Sequence, residues 1–396
     1  MTNFKPTFKE VSGKYGIIIL SLFYLLASCY LFNKYGLKLV NDSPRYIAYA
    51  ENLQNGFYFD PLNFWYLSFA IFVMINQVFF NSLLAIIISQ YVIGYLAVIA
   101  LYHAVKIATY NPVTAFLASA LFILFPDNLF WHSYILTESL YISFLCFSFF
   151  ALVKYYSKKT LKNLAFAIII LTICFFCRPT SPALFLAILT PAFIRFLKNP
   201  AHRLLKISGC VIFGIALLVL ANQIITMHSV MLIYTKGDII FAMHETAESL
   251  YKDLMMIDAP EDLFVPDEEG ALIYEMASFV LNNPLYWFKL FTSKLITFIS
   301  HIRPYWSWMH NIYALLIIWP CYFLSVTAFR KKLIPGLYKT VILSYCIIHT
   351  LIVCNTWVDW DARFFVSIYP VMAYVSGLAL ENIINSKNSK DHLVET

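Results

Sequence analysis

Apolar runs of roughly 17–25 residues recur along the whole chain, and each is long enough to cross the hydrocarbon core of a bilayer. That recurrence constrains the fold more than any single motif does. Backbone surrounded by lipid must satisfy its own hydrogen bonds, so such runs read as helices. Charge content agrees: of 396 residues, 61% are hydrophobic and 13% charged, and the mean hydropathy is +0.71. A soluble chain carries about a quarter charged residues. The sequence therefore predicts an all-α polytopic membrane protein, not a soluble domain with one anchor. The first run follows Lys5, Lys9 and Lys14, and no small-residue cleavage site ends it. It is expected to stay in place as a helix.

About ten spans are expected, over 17–33, 83–103, 112–126, 138–153, 163–177, 181–195, 207–226, 311–327, 338–355 and 364–383. With these spans, Lys154, Lys158, Lys159, Lys162, Arg330, Lys331, Lys332 and the lysines of both termini fall on one side. The positive-inside tendency makes that side cytoplasmic. Both termini are then inside, and the long segments 34–82 and 226–310 face out. Three parts follow: a transmembrane core over 1–225, an extracytoplasmic loop with a surface helix over 226–310, and C-terminal helices with a cytoplasmic tail over 311–396.

The same count bears on LNFWYLSFAIFVMINQVFF at 62–80. If it crossed alone, every later loop would invert, so it is expected to be re-entrant or interfacial on the outer face. NPLYWFKLFTSKLITFISHIR at 283–303 gathers Lys289, Thr292, Ser293, Thr297, Ser300 and Arg303 on one side of a helical wheel, with Lys294 off that stripe. An amphipathic stripe favours lying along the membrane surface. Between 226 and 284 the acids from Asp238 to Glu275 outnumber Lys236 and Lys252. A small folded excursion is expected there, with short helices around 238–257 and 267–282.

Several function classes drop out. All eight cysteines sit in expected spans, away from the outer loops where disulfides form. CFFC at 174–177 reads as small packing hydrophobes and not as a redox or zinc motif. HETAE at 244–248 sets His244 and Glu248 one turn apart but lacks the second His of a zinc-protease helix, so it reads as a solvated face. There is no G-x-x-x-x-G-K-[ST] phosphate loop and no dinucleotide fingerprint. No nucleic-acid partner is expected.

Ionisable groups at membrane depth are costly, so each is a functional candidate. Asp42, in LVNDSPRYIAYAENLQNG, lies just past the first span, beside Arg45 and Tyr46. The plainer reading makes Asn41, Asp42 or Ser43 a helix cap with Pro44 in the first turn. Glu138 opens the fourth span in ILTESLYISF, where Thr137 or Ser133 is a capping candidate and a carboxylate suits the helix dipole. Arg178 ends the fifth span in CRPTSP. Arg363 opens the last span beside Asp359 and Asp361, whose oxygens are the candidate ligands for a divalent cation. The plainer alternative has Asp361 cap that helix and pair with Arg363 or Arg178. Lys289, Lys294 and Arg303 complete a set of interface cations, for which snorkelling to lipid phosphate is the alternative.

In their order along the chain, these patches resemble the type C glycosyltransferases, the integral-membrane superfamily that includes protein O-mannosyltransferases and lipid A aminoarabinose transferases. NDSPRYIAYAENLQNG resembles the first outer loop of that family, ILTESLYISFL its acidic helix start, and CRPTSPALFL its Arg/Lys-Pro-Thr segment. NPLYWFKLFTSKL is similar to the surface helix after its large loop, and RFFVSIYPVMA to the opening of its final helix. Two departures stand out. The acidic pair of the mannosyltransferases is Asn41-Asp42 here, and their Lys-Pro-Pro is replaced around Asp60 and Pro61.

The resemblance implies a polyprenyl-phosphate-linked sugar donor, a glycan, lipid or protein acceptor, and a multi-pass bacterial inner-membrane protein whose site faces the periplasm or exterior. Elementary chemistry then supplies roles. Asp42 is the candidate base for the acceptor hydroxyl, and Glu138 is placed to orient the acceptor or hold a cation. Arg45, Tyr46, Arg178, Lys289, Lys294, Arg303 and Arg363 are the candidate substrate contacts, the cations steadying the phosphate as it leaves. No cofactor is demanded, and a divalent cation stays optional. The alternatives are a transporter or flippase of a lipid-linked saccharide, and an O-antigen polymerase or ligase. Charges near one face, with nearly charge-free span interiors, favour surface chemistry over passage.

Overall fold

The computed structural model describes residues 8–199, 203–227, 230–245, 251–267 and 270–394. The chain is all-helical, with 78% helix and no strand among the described residues. Among the described residues, seven helices are long and apolar enough to cross a membrane, so the chain is a multi-pass membrane protein. It divides into two compact units. One comprises 1–181, 316–335 and 366–396, and the other comprises 182–315 and 336–365. This interleaved division differs from the three consecutive parts expected from the sequence.

The first unit begins with α1 (Phe8–Tyr35), whose 28 residues span about 42 Å at 1.5 Å each. α2 (Ser43–Leu53) is short and starts with Pro44 in its first turn. A 3-10 turn at Asn63–Tyr66 runs directly into α3 (Leu67–Phe80). The continuous run Asn63–Phe80 meets the length and hydropathy of a span. It is one helical rod, at the place where the charge count leads us to expect a re-entrant or interfacial segment. Asn81 in the left-handed conformation and extended Ser82 then turn the chain into α4 (Leu83–Thr109).

α5 (Pro112–Leu124) and α6 (Asp127–Phe130) belong to one apolar stretch that bends by 66°. α7 (Thr137–Ser157) packs its buried face on α4. α8 (Leu161–Phe175) has 15 residues, the length of the span expected over 163–177, and starts two residues earlier. Its Cys174 and Cys177 are buried free thiols, and Cys177 donates to the Ile173 carbonyl within the same helix.

The second unit holds α9 (Pro182–Lys198), interrupted by Pro191, and α10 (Arg203–Met227). The acidic excursion forms α11 (Val230–Lys236), a 3-10 turn at Met243–Glu245, α12 (Lys252–Met255) and α13 (Leu272–Asn282). The short helices expected around 238–257 and 267–282 correspond to the turn at Met243–Glu245 with α12, and to α13. Glu248, Glu268 and Glu269 lie outside the described residues. α14 (Pro284–Ser300) buries Tyr286, Leu290, Lys294 and Phe298, one row at four-residue spacing. It is not among the candidate spans.

α15 (Trp308–Arg330) and α16 (Gly336–Asn355) are full-length apolar helices. The final helix, α17 (Tyr369–Val394), begins after a 3-10 turn at Phe365–Ser367 and not at 364 as expected. It belongs to the first unit, where Gly377 lies against Ala118 of α5. A Cβ at 377 would come within 2.9 Å of the Ala118 Cβ and backbone nitrogen, so the crossing requires glycine.

Candidate functional site

In the first unit, the loop after α1 is stitched to the segment before α7. The Lys38 N–H donates to the Ser133 carbonyl at 2.9 Å, and the Ile135 N–H donates to the Lys38 carbonyl at 3.2 Å. These two bonds bring the chain that delivers Asp42 beside the chain that delivers Glu138. Both carboxylates therefore belong to one end of the helix bundle. Tyr46 is buried within reach of both carboxylates; burial first, then Tyr66, Asp42 and Glu138 against the opposing Arg45, push the pKa of its phenol well up.

Asp42 occupies the N-cap position of α2, yet its side chain makes no capping bond. It faces Arg45 instead, with Oδ1 3.4 Å from Nη2. Ser43 makes the turn, its hydroxyl accepting the Val40 N–H at 3.0 Å. Arg45 is held from several sides. Nη1 donates to Asn63 Oδ1 at 2.9 Å, and the guanidinium lies over the Tyr46 and Tyr66 rings at 4.6 and 4.9 Å. Asn63 is anchored in turn by Asp60, whose Oδ1 accepts the Leu62 and Asn63 N–H groups at 2.9 and 3.0 Å and whose Oδ2 accepts the Asn63 amide at 2.9 Å. The Asn63 backbone bond, ahead of the others, holds the Asp60 carboxyl below its usual range, against a smaller opposing effect of burial. The result is a carboxylate and a guanidinium at a partly open rim, with side-chain exposures of 36% and 26%.

Glu138 stands differently. Neither Thr137 nor Ser133 caps α7; the Ser133 hydroxyl meets the Tyr91 hydroxyl at 2.9 Å. Glu138 Oε1 pairs with Arg178 Nη2 at 3.1 Å, and the two side chains are 1% and 5% exposed. Arg178 also lies 5.9 Å over the Tyr141 ring.

The remaining cations sit in the second unit and are not alike. Lys289 is exposed on α14. Lys294 is fully buried; its ammonium donates to the Thr356 carbonyl at 2.8 Å and lies 4.4 Å over the Tyr234 ring. Burial, only partly opposed by Cys354 and Asp238, pushes its pKa down to about 7. Arg303 is also fully buried. Its Nη1 donates to the Thr297 and Ile302 carbonyls at 2.6 and 3.1 Å, closing the C-terminal end of α14. Arg363 approaches Asp359 at 3.8 Å. Asp359, and not Asp361, organises that turn by accepting the Asp361, Arg363 and Phe364 N–H groups at 3.2, 2.8 and 3.4 Å. The Asp359 carboxylate is thus tied to its own turn by three backbone N–H groups.

Sequence reasoning missed Asn63 and Tyr66, which frame Arg45. The signal was present in Asp60-Pro-Leu-Asn63, an acid three residues ahead of an amide at a helix start. It also missed Asp238, which is fully buried against His244. No protein-family model matches the chain, and no curated protein matches it.

Proposed function

We propose that the chain is a membrane glycosyltransferase that moves a sugar from a polyprenyl-phosphate donor to a glycan, lipid or protein acceptor at the extracytoplasmic face. The observation that carries this reading is the contrast within one end of the first unit: a partly open Asp42–Arg45 rim beside a closed Glu138–Arg178 pair. Asp42 takes the acceptor's proton as the hydroxyl oxygen bonds to the anomeric carbon. The carbon–oxygen bond to phosphate breaks, and its electron pair leaves on the polyprenyl phosphate. Arg45, oriented by Asn63, Tyr46 and Tyr66, meets that growing charge with a preset guanidinium. Glu138 and Arg178 hold the helix starts in place, and no step needs a metal. The resemblance of the sequence patches to type C glycosyltransferases supports the same reaction class.

The test supplies the purified protein, in lipid, with a panel of polyprenyl-phosphate sugars and acceptors and follows release of polyprenyl phosphate. Asp42→Asn is expected to lower turnover by about 10²–10⁴-fold, the range for one acid–base group. Retained turnover would remove Asp42 as the base. Movement of a lipid-linked saccharide across the bilayer with no phosphate release would replace the reading by a flippase.

A further inference from the structure

α13 and α14 are tied to the ends of two candidate spans of the second unit. At the start of α13 the Ile273 N–H donates to Asn222 Oδ1, near the end of α10, at 3.0 Å. From the middle of α14, Lys294 donates to the Thr356 carbonyl, one residue past the end of α16, at 2.8 Å. Tyr234 joins the same place, its hydroxyl donating to the Asn355 carbonyl at 3.3 Å and its carbonyl accepting the Tyr286 hydroxyl at 2.9 Å. α10 and α16 are each long enough to cross the hydrocarbon core, so their ends stand where membrane meets water.

Tyr286, Leu290, Lys294 and Phe298 are the buried row of α14, and Leu285, Phe288, Thr292, Ile296 and Ile299 lie on its other side. At about 3.6 residues per turn, the two sets are half a turn apart. The second side is uncovered: Leu285 is 85% exposed, Ile296 68% and Phe288 60%, and Leu281 at the end of α13 is 79% exposed. It needs no polar partner, because the Thr292 hydroxyl donates back to the Phe288 and Lys289 carbonyls at 2.8 and 3.0 Å. α14 contains no acid, and Lys289 is exposed at the edge of this side. Asn283 fixes the corner between the helices. Its amide donates to the Phe264 and Phe279 carbonyls at 2.8 and 2.9 Å, and its Oδ1 accepts the Phe264 N–H at 3.0 Å.

We propose that this corner is a lipid anchor: Leu281, Leu285, Phe288 and Ile296 lie in the boundary between headgroups and acyl chains, without crossing the bilayer. A continuous uncovered apolar side is costly in water, and this one is tied to the level at which two spans end. Its charge selects lipid over a soluble partner or a second copy of the chain. A lysine beside aliphatic and aromatic groups, with no acid on the helix, suits a phosphate plane above acyl chains. The sequence put Lys289, Thr292 and Arg303 on one polar side. The fold instead buries Arg303 and sets Leu285, Phe288 and Ile296 on the side of Lys289 and Thr292. The anchor lies wholly in the second unit and does not depend on Asp42 or on glycosyl transfer.

Full-length protein in which the two exposed thiols are replaced (Cys29→Ser, Cys210→Ser) receives one new cysteine, by Leu285→Cys, Phe288→Cys or Glu261→Cys. Glu261 is exposed in the loop before α13 and serves as the water-side reference. Each protein carries a fluorescent thiol label and is placed in phosphatidylcholine nanodiscs. Lipid bearing a doxyl group near its carbonyl is expected to quench the labels at 285 and 288 strongly. A doxyl group near the chain end should quench them less, and aqueous iodide should leave them bright. The label at 261 should respond to iodide and not to either lipid. If the labelled variants misfold, the unaltered protein decides: phosphatidylcholine with a photoreactive diazirine high in its acyl chain is expected to mark the segment 281–296, as mapped by mass spectrometry. Quenching by iodide alone would put the corner in water, stronger quenching from the chain end would put it in the membrane centre, and no quenching at all would mean that protein covers it. Each of these overturns the proposal, as does a photolabel absent from 281–296. A protein whose corner contacts lipid yet releases no polyprenyl phosphate keeps this anchor and loses the transfer reading instead.

Discussion

Asp42–Arg45 and Glu138–Arg178 are the same chemical pair at one end of the same unit, and they differ in almost everything that matters. The first is separated by 3.4 Å with about a third of the carboxylate exposed, and the second by 3.1 Å with both side chains nearly sealed. Water screens the first pair, so its mutual attraction contributes little to stability. In the second, each charge depends on the other, because an ion left alone in that setting has lost its hydration without compensation. Equal residue types thus divide into a working pair and a framing pair through burial alone.

The largest expected effect breaks the framing pair. Glu138→Ala leaves the Arg178 charge without its carboxylate and should cost about 3–5 kcal/mol, visible as loss of folded protein in detergent melts. Adding Arg178→Leu to it should restore much of that loss, since neither charge is then stranded. If the single change melts like wild type, the closed pair does not frame the unit. The matching change in the working pair, Asp42→Asn, should move the melting free energy by less than about 1 kcal/mol while removing turnover. A collapse of stability there would erase the distinction between the two pairs.

Lys294 sharpens the comparison as a buried cation hydrogen-bonded to a carbonyl and facing a ring. Its pKa is about 7 in the fold and 10.5 as the ordinary value. Between those values the unfolded chain binds more protons than the folded one, so stability should rise as pH increases from 7 toward 10.5. The burial penalty is fully present below pH 7, where the amine is charged in both states. Lys294→Met should flatten that slope, as followed by thermal unfolding at pH 7, 8.5 and 10. Equal slopes in both proteins would mean that the ammonium is hydrated and not sealed.

How much of this was legible beforehand follows from what burial does to a sequence signal. The helical membrane class was plain because apolar runs report directly on lipid. The neighbourhood of Asp42 and Glu138 was legible too, since both stand at helix starts and expectation placed them on one side. Their opposite states were not, because nothing local in TESLY reveals that Arg178, forty residues on, closes over Glu138. Lys294 read as a rim cation since a helical wheel shows which residues share a face but not which face is covered. At Asn63–Phe80 two signals pull apart: the charge count rewards consistent loops, whereas length and hydropathy alone admit the helix as a candidate span. His244 looked solvated because its partner, Asp238, is brought to it by the turn at Gly237 and not by helical spacing.

The smallest effect concerns Asp60, a carboxylate held by the Leu62 and Asn63 N–H groups and the Asn63 amide. It holds Asn63, Asn63 holds Arg45, and Arg45 faces Asp42. Its pKa lies below 3.8 in the fold, so its stabilising share is present above about pH 3.8 and is lost as pH falls through the lowered value. Asp60→Ala should cost about 1 kcal/mol at neutral pH, on the order of a lost side-chain-to-backbone hydrogen bond, and progressively less as pH falls through the lowered value. Because Arg45 would then be steadied by Tyr46 and Tyr66 alone, donor KM should rise a few-fold with kcat little changed. Loss of kcat at unchanged KM would instead make the Asp60 chain part of the proton path, and the open pair could no longer be treated as separate from the backbone that carries it.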